Sequence, residues 1–189
     1  MRQIERTRIS VERPADVGDA RLRQLYELWS ARRGPRRMPA RADFLAEEFK
    51  AWMPNLAIYE IEGDARSFRM KVRLSGTAMV RLDGADLTGR YFDEVIDPVR
   101  HAAIYRSYQQ CIETIAPRYE AAETEPFDPV YSVAHVPFRY FRKLLLPLSS
   151  DDARVEMMLV SIYADFDPVV DGEPVSLREA AGRGGVVLD

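Results

Sequence analysis

The tightest constraint in the chain lies at residues 67–74, where Phe68, Met70, Val72 and Leu74 alternate with Arg69, Lys71 and Arg73. A period of two puts the apolar set on one face of an extended strand and the charged set on the other. One buried and one wet face is the pattern of an antiparallel sheet, since parallel sheets are covered on both sides. Residues 55–62 read as its partner, joined to it through Gly63-Asp64 as a hairpin. Residues 118–123 read as a third strand. Residues 138–148 and 155–163 read as two more, separated by a polar turn at 149–154.

Elsewhere the period lengthens. Leu22, Leu25, Tyr26 and Trp29 fall at i, i+3, i+4 and i+7, which predicts an amphipathic helix over 15–33 that stops at Gly34-Pro35. An arginine-rich loop follows (Arg32, Arg33, Arg36, Arg37, Arg41), then a short helix capped by Asp43 and stopped by Pro54. Residues 75–82 predict one further short helix, capped by Ser75 and closed by Gly84. A longer helix opens with Asp97 as N-cap and Pro98 in its first position, and carries Ile104, Tyr108, Cys111, Ile112 and Ile115 on one stripe. The order gives an α+β fold with helices gathered on one side of an antiparallel sheet. Residues 1–54 form an N-terminal helical extension with the arginine-rich loop, 55–164 the core, and 165–189 a tail with at most a short helix at 177–181.

Charge divides the same way. The net charge of -3 hides 11 arginines against 5 acids over residues 1–41, and 16 basic residues against 25 acids over the rest. The basic arm is expected to touch a second subunit rather than nucleic acid, because no DNA-binding module accompanies it and the chain is acidic overall. The start is charged, and no apolar run approaches a membrane span, so a cytoplasmic, non-membrane protein is expected.

Three ordered segments resemble a bacterial family of PAS-like domains that includes stand-alone PAS proteins. The first holds Trp29, Arg33-Gly34 and Met38-Pro39-Ala40-Arg41-Ala42-Asp43. The second runs from Arg73-Leu74-Ser75-Gly76-Thr77 to Gly84-Ala85-Asp86-Leu87-Thr88-Gly89-Arg90 and Phe92. The third is Leu144-Leu145-Leu146-Pro147-Leu148-Ser149. The resemblance implies a PAS-like five-stranded antiparallel sheet in the order 2-1-5-4-3, with helices over one face. It also implies a non-enzymatic sensory or regulatory module that binds a small ligand or a protein partner and signals through a homodimer interface.

Chemistry-bearing residues are sparse. There are two histidines, His101 and His135, and one cysteine, which excludes a disulfide framework or a multi-thiolate zinc site. His101 begins the long helix; a hydrogen-bonded helix residue is its plain reading, and the resemblance adds a haem ligand as the sharp one. Cys111 sits among isoleucines, where a thiol behaves as a small hydrophobe, and Gln110-Cys111-Ile112 lacks the Asn-Cys-Arg-Phe setting of flavin photoreceptors. Neither haem nor flavin is therefore expected; the cofactor is unknown and no metal is expected. The candidate ligand face comprises Met70, Val72, Tyr91, Tyr105, Tyr108, Leu146, Met158 and Val160. Arg73, Gly76, Thr77, Gly84, Thr88, Gly89 and Arg90 form the signature motif, read first as fold geometry. Leu22, Leu25, Tyr26 and Trp29 either fold back on the domain or pair with a second copy as a dimer helix. An enzyme on a curved-sheet scaffold and an adaptor with a filled core are the alternatives.

Overall fold

The computed structural model describes residues 6–95, 98–123, 140–164, 169–170 and 173–174. Strand β1 (Arg6–Ser10) precedes helix α1 (Ala20–Arg33). Then come β2 (Leu56–Asp64), β3 (Ser67–Ser75), α2 (Thr77–Asp83), α3 (Pro98–Thr114), β4 (Arg118–Glu123), β5 (Tyr140–Leu148) and β6 (Met157–Ala164), with a short pair, β7 (Val169–Val170) and β8 (Glu173–Pro174), after them. The main sheet has six antiparallel strands in the order β1-β4-β5-β6-β2-β3. Read from β3 inward, its last five strands follow the expected 2-1-5-4-3 order. The expectation of five strands is corrected to six, because the charged segment 6–10 pairs with the outer edge of β4.

A second correction concerns the layers. Cys111 of α3 meets Met158, so the face of β6 carrying Met158 and Val160 lies under α3. The alternate residue Tyr163 stacks instead beneath Arg21 of α1, 3.6 Å from the ring centroid. Trp29 also donates its indole N–H to the Pro147 carbonyl at 2.9 Å. Helices therefore cover both faces of the central strands, and Leu144, Leu145, Leu146 and Leu148 are all buried. A run of apolar residues without alternation is the signature of such a doubly covered strand. Among the described residues the wet face survives toward β3, where Arg69, Lys71 and Arg73 lie.

Local signals place the elements. Asp19, not a residue near 15, caps α1: its carboxylate accepts the backbone N–H groups of Arg21 and Leu22. Residues 41–43 and 46–49 are single 3-10 turns rather than one helix capped by Asp43. Asp43 instead accepts from Ala40 N at 2.7 Å and from Arg36 at 2.5 Å. The β2–β3 turn falls at Ala65-Arg66, two residues later than expected, and Asp64 accepts the N–H groups of Arg66 and Ser67 there. Gly76, not Ser75, is the N-cap of α2, and Gly84 ends it as expected. Asp97, His135, the His101 side chain and residues 177–181 lie outside the described residues.

The arginine-rich loop is held by internal contacts. Arg32 pairs with Glu48, Arg33 donates to the Arg36 carbonyl, Arg36 reaches Asp43, and Arg41 donates to the Phe44 carbonyl beside the Phe49 ring. Asp152, on the β5–β6 turn, accepts the backbone N–H groups of Arg37 and Met38. These bonds hold the Asp43 and Asp152 carboxyls below their ordinary 3.8: chiefly the Ala40 N–H and then Arg36 for Asp43, and the Arg37 N–H for Asp152. A carboxyl whose folded pKa is depressed adds stability in full above its unfolded value and loses it as pH falls through the folded one. The loop is thus expected to lose stability on acidification below about pH 4, read as loss of amide protection at residues 36–44 in an acid titration. Protection there that outlasts protection of β6 would overturn this.

Candidate functional site

The second half of the signature motif, Asp86–Arg90, is a strand-edge turn. Asp86 accepts both the N–H and the hydroxyl of Thr88, the Arg90 N–H closes on the Leu87 carbonyl, and Gly89 sits at φ +87. From this turn Gly89 donates to the Val72 carbonyl at 2.8 Å and Val72 donates to the Arg90 carbonyl at 2.9 Å. The motif so covers the outer edge of β3 that would otherwise stay open. Gly89→Ala is expected to cost about 1 kcal/mol, because only the backbone conformation resists a side chain there and nothing lies within 4 Å of its Cβ position; a urea midpoint equal to wild type would refute it. Gly76 is present for a different reason: a Cβ would stand 2.0 Å from the Met53 carbonyl oxygen. Thr77 and Arg90 are exposed, and Arg73 lies 3.6 Å from Glu60 on the wet face.

Six of the eight candidate ligand residues converge between α3 and the sheet. Met70, Val72, Met158 and Val160 are buried on the face under α3, with Tyr105 and Tyr108 above them. Leu146 does not join them: it pairs with Leu159, one residue out of phase with Leu145–Val160, and so points to the α1 side. Tyr91 is outside as well. Its ring lies under Arg69, at 3.8 Å, and its hydroxyl donates to Glu62 at 2.9 Å, on the wet face. The dimer-helix stripe takes the fold-back alternative, since Leu22, Leu25, Tyr26 and Trp29 are all buried in the domain's own core.

Aromatic rings fill the space beneath α3 in a connected chain. Phe68 stacks on Tyr105 at 4.9 Å, Tyr105 on Phe92 at 6.5 Å, and Tyr59 meets both Phe92 and Tyr108 edge-on at 5.7 and 5.8 Å. Burial pushes the Tyr105 phenol up to about 12, and raises Tyr59, Tyr108 and the Cys111 thiol. These groups stay protonated near neutrality, so they offer hydrogen-bond donors and no nucleophile.

At the end of that chain sits a polar cluster that the sequence reading missed. Glu120 of β4 faces Lys143 of β5 across the ladder, with Nζ 2.9 Å from the carboxylate and the two side chains 2% and 8% exposed. Ser107 of α3 donates to the other oxygen, Arg8 of β1 lies 3.6 Å from it, and the Lys143 ammonium stands 5.3 Å from the Tyr108 ring centroid. Burial alone would raise the Glu120 pKa, but Lys143, the Ser107 hydroxyl and Arg8 outweigh it and lower it, so the carboxylate is ionised. The available signal was Lys143 itself, one of three lysines, placed directly before the apolar run 144–148.

This arrangement of a 2-1-5-4-3 sheet under a long helix agrees with a family model. The model for the PAS domain matches residues 18–162. The chain belongs to the PAS domain family. Its resemblance in three motifs is thereby confirmed, and PAS domains are generally non-catalytic modules. Among curated proteins none matches. One solved structure similar to this PAS domain is described as the structure of an RNA-binding light-oxygen-voltage receptor, at 14% identity and a TM-score of 0.41, covering 96% of this chain and 42% of that one. The chain thus spans less than half of that receptor's length. That description stands against the two expectations that flavin is absent and that nucleic acid is not a partner, so neither is carried further; a likeness this distant assigns no cofactor or partner to this chain. Among the described residues no cluster of three or more His, Cys, Asp or Glu could hold a metal, and no helix is long and apolar enough to cross a membrane.

Proposed function

We propose that this PAS domain is a cytoplasmic sensory or regulatory module that takes a small ligand between α3 and the sheet and signals through a homodimer interface. One observation carries the reading. The packed interior sets adaptable side chains, Met70 and Met158 with Tyr105 and Tyr108, beside a buried ion pair. Methionine and tyrosine accommodate changes of shape, and a few placed polar groups orient what enters. Residues 1–54 act as the control segment in this reading, 55–164 as the sensing core and 165–189 as a tail.

The module acts by differential affinity: a ligand that fits one arrangement of α3 better than another shifts the population toward it. Native mass spectrometry of the freshly purified chain is the test. A small molecule retained under native conditions and released on denaturation is the expected result. An unliganded protein whose melting temperature no compound of a metabolite panel raises would leave the adaptor reading in its place. Sedimentation velocity reads the homodimer, and a monomer throughout the micromolar range would remove that part.

A further inference from the structure

Strand β1 differs from the rest of the sheet. Among the described residues it pairs with β4 alone, over five residues, and Thr7, Arg8 and Ser10 remain exposed while Ile9 is half-buried. Its attachments include the ladder to β4, Ile9 packed against the core, the Arg118–Ser10 hydrogen bond at 3.2 Å, and Arg8, which stands directly opposite Glu120. A short edge strand with few apolar contacts occupies the low-stability end of a fold. The carboxylate that holds it, by contrast, is 2% exposed and belongs to the interior cluster.

We propose that β1 is a releasable strand whose hold on the sheet is set from the interior, because Glu120 divides one negative charge between Lys143 and Ser107 inside and Arg8 at the edge. The proposal rests on the regulatory reading above and specifies its output. An anionic group that draws the Lys143 ammonium to itself leaves more of the Glu120 charge to Arg8 and tightens β1. A cationic or hydrogen-bond-donating group that engages Glu120 competes with Arg8 and loosens it. Release would bare the outer edge of β4 as a row of unpaired backbone groups, a surface that accepts an extended strand. Just beyond β1 the hinge is short, since the Val11 N–H donates to the Pro117 carbonyl at 2.8 Å and Val11 is buried. Opening therefore stops at Val11 and leaves α1 in place.

Hydrogen–deuterium exchange of the full-length protein tests this without any ligand, with β6 as internal reference. Arg8→Ala is expected to speed exchange in Arg6–Ser10 and β4 by about threefold or more, with β6 unchanged. Lys143→Met is expected to do the reverse, slowing β1 relative to β6, because Glu120 then has Arg8 as its cation. If Lys143→Met does not fold, Ser107→Ala supplies the same sign by removing the interior hydroxyl. Unchanged β1 exchange in Arg8→Ala, or β1 loosened relative to β6 by either interior substitution, overturns the proposal. A retained ligand alongside unchanged β1 exchange would overturn this inference and leave the functional reading standing; coupled β1 exchange in a protein that binds nothing would do the opposite.

Discussion

Trp29→Ala is expected to lower the free energy of unfolding by about 3–5 kcal/mol, the ordinary cost of deleting a large buried aromatic side chain. The indole is 2% exposed, stacks on Tyr26 at 6.0 Å, and donates its N–H to the Pro147 carbonyl on the central strand β5. Truncation leaves a cavity between α1 and the sheet and removes that bond. If the extension were a separate arm, the change would instead be local and the core transition would keep its midpoint. Urea unfolding followed by a probe in the core, such as exchange of β6 amides, separates the two. A loss below about 1 kcal/mol, within the range of ordinary surface substitutions, would mean that α1 contributes little to the fold.

Gly76→Ala should be as damaging, for a steric reason. The new methyl would meet three backbone atoms, Met53 O at 2.0 Å and the Pro54 carbonyl oxygen and carbon at 2.7 and 2.8 Å. No rotamer change relieves a clash with main chain, so either α2 or the 53–55 turn must move. A penalty of about 3 kcal/mol or more is expected, at the upper end of overpacking costs. The Gly76 N–H also donates to the Leu56 carbonyl at 2.8 Å, so a displaced Gly76 would pull on the first residue of β2. Thermal melts of Gly76→Ala beside Gly89→Ala give the comparison. Equal destabilisation by the two would show that the close approach at Gly76 relaxes easily.

Much of the architecture was readable because it rests on local periodicity. The alternation at 67–74, the proline opening α3 and the glycine ending α2 each act within a few residues, and each element appeared where its signal lay. Strand β1 was not readable. Arg6-Thr7-Arg8-Ile9-Ser10 contains one large apolar residue, and what makes it a strand is the vacant edge of β4 more than a hundred residues away. Its only sequence trace was the β-branched pair Thr7 and Ile9 alternating with Arg6 and Arg8.

The site divides along the same line. Side chains on one element, such as Tyr105 and Tyr108 or Met158 and Val160, could be grouped by period. Which face of β5 turns toward α3 could not, because period alone assigns two faces and names neither as the interior; Leu146 was misplaced for that reason. Glu120 and Lys143 meet through strand register across the intervening β4–β5 connection, and register is a property of pairing. The arginine-rich loop drew attention through composition, and Arg32, Arg33, Arg36 and Arg41 turn out to serve carbonyls and carboxylates between residues 32 and 48.

The double covering of β5 has a hereditary consequence. Successive residues of one strand answer to different neighbourhoods: Leu145 shares its face with Val160 and the α3 side, while Leu146 and Leu159 share theirs with the α1 side. In an alignment of relatives, changes of volume at 146 and 159 should therefore co-vary with positions 22, 25 and 29, and changes at 145, 158 and 160 with 108 and 111. Lineages that adopted a new ligand would carry substitutions in the second set and leave the first untouched, so that one strand records two separate histories.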